Sequence, residues 1–148
     1  MKKEFVMRGQ TVSGGQEVLN FSGFKPGMAY RLTEFLLFPS TATGTTSYEM
    51  CGSITAGKTA MAPADQNFND EGLIGVAFIE NEDAEHYPIS YKTIINNTFL
   101  ITQNLILMVQ DTGGSSHPVN WQCRFEAVKM SGPEEAVANY KQFLISDE

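Results

Sequence analysis

Short apolar runs recur along this chain, each bounded by turn-forming residues, and most repeat with a period of two. The cleanest is 120–130. Trp121, Cys123, Phe125 and Ala127 alternate there with Asn120, Gln122, Arg124 and Glu126. That pattern predicts a strand with one face on a core and one on solvent. The most apolar stretch is 98–111, TFLITQNLILMVQD. Gln103 and Asn104 interrupt it, and a bilayer-spanning helix needs about 20 apolar residues, so it is a core element. It predicts either one central strand or a hairpin of FLIT and LILMV turning at Gln103 and Asn104. Asp111 then marks where the strand leaves the core for the loop TGGSSHP.

Residues 28–39 (MAYRLTEFLLFP) predict a long strand. Tyr30, Leu32, Leu36 and Phe38 fall on one face; Arg31 and Thr33 fall on the other, joined later by Phe35 and Leu37. Further strands are predicted around Phe5 and Met7 and over 17–21, 48–56, 73–79 and 88–95. Gly14 and Gly15, the run Lys25, Pro26, Gly27, the small polar segment 40–47, and Asn96 with Asn97 supply the turns. Only the C-terminus reads as helix. Ser131 stands three residues before Glu134, with Pro133 in the first turn. Ala136, Val137, Tyr140, Phe143 and Leu144 follow at helical spacing.

Eight or nine short strands and one terminal helix predict an all-β fold, an antiparallel β-sandwich. A jelly roll needs eight strands in two Greek keys, and the chain has room for one. The expectation is a single domain, with the sandwich over 1–130 and the helix and tail over 131–148. The length of 148 residues and a hydrophobic fraction of 42% suffice for one core without staples.

Charge narrows the partners. The net charge is -7, and the 10 basic residues are spread thinly, which argues against direct nucleic-acid binding. No apolar region follows the lysines of MKKEF, so no signal peptide is expected, and no run is long enough for a membrane helix. Cys51 and Cys123 do not have zinc spacing; a disulfide between them requires neighbouring strands, and two buried free thiols are the favoured expectation.

Two motifs invite chemistry. The octet GSITAGKT over 52–59 satisfies the phosphate-loop pattern, in which Lys58 would reach the terminal phosphates and Thr59 would hold magnesium. Asp111 would be the metal-side acid of a small nucleotide hydrolase. The surroundings oppose this. Pro63 blocks the helix that the loop must open, and no strand–helix alternation surrounds it. The octet is expected to be strand and turn. Asp65, Gln66, Asn67, Phe68, Asn69 and Asp70 begin like a calcium loop, but Asp70 and Val76 stand where Gly and Glu belong. An irregular calcium site at Asp65, Asn67, Asn69 and Asp70, or at Glu80, Glu82, Asp83 and Glu85, is the alternative to the favoured reading of both as solvated acidic loops. His86 and His117 read as exposed loop histidines without a nucleophile elbow. Trp121, on the apolar face of its strand, reads as core. No catalytic, cofactor or metal residue is predicted.

Four segments carry a resemblance of layout: MKKEFVMRGQTVSGGQEVLNFSG, AYRLTEFLLFPS, WQCRFEAVKM and GPEEAVANYKQ. In their order along most of the chain they resemble small virion structural proteins of bacteriophages, especially marine phages. The resemblance implies a jelly-roll or related β-sandwich in a capsid, decoration or other assembly subunit. Such a chain is not an enzyme and carries no cofactor. It is made in the host cytoplasm and resides in the virion, touching copies of itself and other virion proteins. Acidic charge suits a position away from packaged nucleic acid. The contact residues expected are Phe5 and Met7 on the first strand and Val137, Tyr140, Phe143 and Leu144 on the helix. The alternative from another class is a carbohydrate-binding, lectin-like sandwich, which requires an exposed aromatic platform.

Overall fold

The computed structural model describes residues 3–21, 27–40, 47–57, 62–81, 90–113 and 116–146; in the C-terminal helix, side chains are described at 132–134, 136–138, 140, 141 and 145. Eight strands precede one helix: β1 (Glu4–Thr11), β2 (Gln16–Leu19), β3 (Met28–Pro39), β4 (Tyr48–Thr55), β5 (Leu73–Asn81), β6 (Ser90–Ile95), β7 (Leu105–Asp111), β8 (Val119–Lys129) and α1 (Gly132–Ser146). They form two antiparallel sheets, ordered β1-β8-β3 and β2-β7-β4-β5-β6. The chain is therefore an all-β sandwich. Its division is three and five strands, because β6 is hydrogen-bonded to β5. It meets β3 through side chains, as Tyr91 Oη and Thr93 Oγ1 donate to Phe35 O at 3.1 and 3.0 Å.

The alternating strands sit where their patterns require. β8 is the middle strand of the smaller sheet, with Val119, Trp121, Cys123 and Phe125 buried. β7 lies between β2 and β4, with Leu105, Leu107 and Val109 inward and Ile106 and Met108 half-buried on the outer face. The region 98–104 is not the first arm of a hairpin. Ile101 instead forms a bridge to Tyr30 in the other sheet, with N–H to O distances of 2.8 and 2.9 Å in the two directions. Asn104 Oδ1 accepts the Phe21 N–H at 2.6 Å, tying the segment before β7 to the one that follows β2. Gln103 and Asn104 thus carry the chain between layers, and Phe99 and Ile101 plug the core from its end.

β3 departs from the sequence-based faces. A bulge between Leu32 and Glu34 leaves Thr33 without a partner on β8, and Thr33 Oγ1 donates to Arg124 O at 3.1 Å. One inserted residue inverts the parity of everything after it. Tyr30 and Leu32 before the bulge share the inner face with Phe35 and Leu37 after it, while Leu36 and Phe38 turn outward.

The main core is a cluster between the sheets that includes Leu32, Phe35, Met50, Ile54, Ile101, Leu107 and Phe125, and a smaller one, Ala29, Met130 and Ala138, lies against the helix. At one end Phe5 stacks on Phe125 at 5.5 Å between centroids and meets Tyr30 edge-on at 5.5 Å, with Phe21 edge-on to Phe125 at 5.0 Å. Each such side chain contributes about 1.5–3 kcal/mol on burial. Gly52 of β4 faces this core because there is no room for more: an added Cβ would lie 2.9 Å from Phe35 Cζ.

The helix starts as its sequence predicts, with the Glu134 N–H donating to Ser131 Oγ at 3.4 Å. Its packed face differs from the expected stripe. Ala138 is buried against Ala29 and Met130, Lys141 Nζ sits 5.7 Å from the Phe99 centroid, and Ile145 packs beside Gly57 and Gly72. Val137 and Tyr140 point away from the sandwich, 69% and 64% exposed. The side chains of Phe143 and Leu144 lie outside the described residues.

Candidate functional site

Asp111 ends β7, where alternation aims its side chain inward like those of Leu107 and Val109. A carboxylate there must be fully hydrogen-bonded. Its Oδ1 accepts the Glu49 and Gly113 N–H groups at 3.1 and 2.9 Å; its Oδ2 accepts the His117 N–H at 3.0 Å and lies 3.0 Å from His117 Nδ1. The Asp111 N–H donates to Ser13 Oγ at 2.9 Å. This one residue ties together the β1–β2 turn, the start of β4 and the loop before β8. Burial works to raise its pKa. The hydrogen bonds from Gly113, His117 and Glu49 outweigh burial and hold the carboxyl below its ordinary value.

β7 ends at Asp111 and gives way to the loop, as expected; the residue itself is buried, and both of its oxygens are taken up by donors of the chain. The structure corrects one expectation here. His117 is not a free loop histidine: its side chain is 22% exposed and paired with that carboxylate. An Asp–His pair is also two-thirds of an acyl-transfer triad. Among the described residues, no hydroxyl or thiol is hydrogen-bonded to the other ring nitrogen. As placed, the pair fixes the loop. Only the run of a buried strand into a Gly/Ser/His loop hinted at it in the sequence.

The phosphate-loop octet is split by the fold. Gly52, Ser53, Ile54 and Thr55 lie in the interior of β4, paired with β5 on one side and β7 on the other. Their backbone groups belong to the sheet and do not form a phosphate cradle. Residues 62–72 form turns, with Asp65 N–H donating to Ala62 O at 3.1 Å and Leu73 N–H to Asp70 O at 3.2 Å, and no helix opens there. Lys58 and Thr59 lie outside the described residues. In the acidic segment, Asn67 Oδ1 and Asp70 Oδ1 accept the N–H groups of Asn69 and Gly72 at 3.0 and 2.8 Å, as turn caps. Among the described residues, no group of three or more acidic, histidine or cysteine side chains converges on a metal position. Glu80 lies on β5; Glu82, Asp83, Glu85 and His86 lie outside the described residues.

Cys51 and Cys123 are free and buried, as expected. Burial, with Glu49 and Asp111 nearby, pushes the Cys51 thiol up to about 11; burial, with Glu34, pushes Cys123 up further. Neither is an activated nucleophile. Trp121 is core, its Nε1 donating to Thr11 Oγ1 at 2.9 Å.

The candidate contact residues separate into two kinds. Phe5 and Met7 occupy the inward face of β1 and pack on the core; Val6 is the outward apolar residue. Val137 and Tyr140 are on the surface. Val137 lines a groove of about 400 Å³ with Phe99, Leu100, Pro133 and Ala138. A second concavity lies across the outer side of the smaller sheet. There the register aligns Arg8, Gln122 and Leu36 in one row and Gln10, Asn120 and Phe38 in the next. It measures about 810 Å³; Phe38, 59% exposed, lines it, as do Ile79 and Tyr91 of the larger sheet. Gln10 Nε2 donates to Asn120 Oδ1 at 3.0 Å, and Gln122 Nε2 to Glu34 Oε1 at 3.3 Å. The pattern of the chain did not reveal this surface, because the bulge at Thr33 is what turns Leu36 and Phe38 outward.

No protein-family model matches the chain, and no curated protein matches it in sequence.

Proposed function

We propose that this chain is a bacteriophage virion structural subunit of the capsid or decoration type, that its sandwich is a single jelly roll, and that it assembles with copies of itself and other virion proteins through symmetric contacts. Strand pairing carries the reading. A jelly roll is an eight-stranded antiparallel ribbon rolled up, so that first meets eighth, second meets seventh, third meets sixth and fourth meets fifth. Three of these pairs are backbone-paired in this chain: β1–β8, β2–β7 and β4–β5. The fourth, β3–β6, is a side-chain contact through Tyr91 and Thr93. The inference from such a fold to a shell subunit is one of analogy. Two features favour it: exposed apolar residues on α1, and a net charge of -7 that suits a site away from packaged nucleic acid. On this reading the chain is not an enzyme, uses no cofactor, and is made in the host cytoplasm before joining the virion. Sedimentation and electron microscopy of the purified protein at high concentration test it, together with mass spectrometry of purified particles. Ordered multimers or presence in the particle support the reading. A strict monomer that is missing from the particle overturns it.

One observation favours a second reading, a carbohydrate-binding module. Phe38 offers an exposed ring beside the side-chain amides of Asn120 and Gln122 and the guanidinium of Arg8, the combination that stacks on a sugar face and bonds its hydroxyls. A glycan array probes it. Binding lost in Phe38→Ala supports it, and silence across the array removes it.

A further inference from the structure

The two sheets have four edge strands, and three are protected. β3 is covered by Ile101 at Tyr30 and by Tyr91 and Thr93 at Phe35 O. β2 has only 4 residues. β1 carries Glu4 and Arg8 on its outer face. These are ordinary ways to block edge-to-edge pairing. β6, SYKTII, is the least protected: it is rich in β-formers, no described segment covers it, Lys92 is its one charge, and all of it but the half-buried Ile95 is exposed.

Its open backbone groups can be named. The Asn96 N–H donates to Ile74 O at 2.7 Å, continuing the β5–β6 register by one pair. Antiparallel bonding alternates. Ile94, Lys92 and Ser90 therefore bond to β5, and Tyr91, Thr93 and Ile95 turn their N–H and C=O groups away from it. None of these outward N–H groups has a partner among the described residues.

We infer that β6 pairs with β6 of a second copy across a two-fold axis at Thr93, fusing two five-stranded sheets into one. Such an axis is normal to the sheet and keeps each side chain on its own face, so only residues of equal parity can stand opposite. Two centres retain most of the strand. An axis at Lys92 sets Lys92 against Lys92, about 4.5 Å apart at Cα, which repels. An axis at Thr93 sets Thr93 against Thr93, Tyr91 against Ile95, and Lys92 against Ile94. All three outward-facing residues then bond, giving about six backbone hydrogen bonds.

Charge favours the same centre. Ile94 and Val76 stand opposite each other and line a groove of about 250 Å³ with Phe68, Asp70 and Glu71. In the Thr93-centred pair, the second copy's Lys92 arrives beside Ile94 at the mouth of this groove. Its stem covers Ile94, 51% exposed, and its ammonium meets the carboxylates of Asp70 and Glu71. The contact forms twice by symmetry. It stands whether or not the chain belongs to a virion.

Sedimentation velocity over a concentration series tests the pairing by charge exchange. The wild-type chain is expected to be a concentration-dependent dimer. Ile94→Lys sets lysine against lysine, and Lys92→Glu sets glutamate against Asp70 and Glu71. Each single variant is expected to weaken the dimer at least tenfold without loss of fold by circular dichroism, since both positions are exposed. The double variant restores an opposite-charge pair and is expected to recover most of the affinity. A wild-type monomer at millimolar concentration, a dimer indifferent to Ile94→Lys, or a double variant as weak as the singles overturns the inference. A dimer held through α1 instead gives the second of these results.

Discussion

Removing the Asp111 carboxylate tests the account of the loop before β8 most directly. In Asp111→Ala the N–H groups of Glu49, Gly113 and His117 lose their acceptor, and His117 Nδ1 loses its partner. A buried donor left unsatisfied costs about 1–3 kcal/mol, and hydrogen bonds to a charged group are worth about 1.5–3 kcal/mol each. The His117 ring is partly exposed and recovers some of its loss to water. The expected loss is about 3–5 kcal/mol, out of a total stability of about 5–15 kcal/mol for a domain. At about 2–4 °C per kcal/mol, Tm falls by roughly 10 °C or more. Urea unfolding followed by fluorescence of Trp121 measures it.

The pH dependence supplies a second check. The folded-state pKa of Asp111 is depressed, so its stabilisation is present above the unfolded-state value of about 3.9 and is lost as pH falls through the folded-state value. In Asp111→Asn an amide nitrogen faces the His117 donors where a carboxylate oxygen stood, much as in the protonated acid. The gap between wild type and Asp111→Asn is therefore expected to be widest near neutrality and to narrow in acid. A loss below about 1 kcal/mol for Asp111→Ala, or a gap that does not change with pH, refutes the reasoning.

Three further outcomes follow from the packing. Gly52→Val forces a branched side chain into the space held by Phe35 and Leu37, with the first added carbon already 2.9 Å from Phe35 Cζ; a loss of at least about 1–3 kcal/mol in urea is expected. Trp121→Phe removes the Nε1–Thr11 bond at 2.9 Å but leaves the Thr11 hydroxyl donating to Glu17 Oε1 at 3.2 Å, so a loss of only about 0.5–1.5 kcal/mol is expected by the same assay. Cys51 and Cys123 are expected to resist thiol reagents in the native state and to react together on unfolding. Fast native labelling of either contradicts their placement.

The alternating strands were legible because one-sided burial imposes a period of two. Residues 120–130 announced β8 in full, and LILMVQD announced β7. The helix start was legible for a local reason: Ser131, Pro133 and Glu134 satisfy or remove N–H groups that a first turn leaves unbonded. The Asp111–His117 pair was not, since a lone Asp after an apolar run looks alike whether it faces solvent or four donors. Only the meeting of 13, 49 and 111–117 in space makes it a buried knot.

Local pattern therefore determined, unaided, that this chain is β-rich, where most strands run, and that one helix closes it. Tertiary structure decided what depends on distant pairing. It decided the bulge at Thr33, which arises where β3 must match β8 and which turns Leu36 and Phe38 outward. It decided that 98–104 crosses to the other sheet, through the bridge between Ile101 and Tyr30. It also decided which edge stays open, because Tyr91 and Thr93 of β6 cover β3 while no described group bonds the outward N–H groups of β6. A period of two states that a strand has two faces; what lies against each face, and against each edge, is a property of the partners.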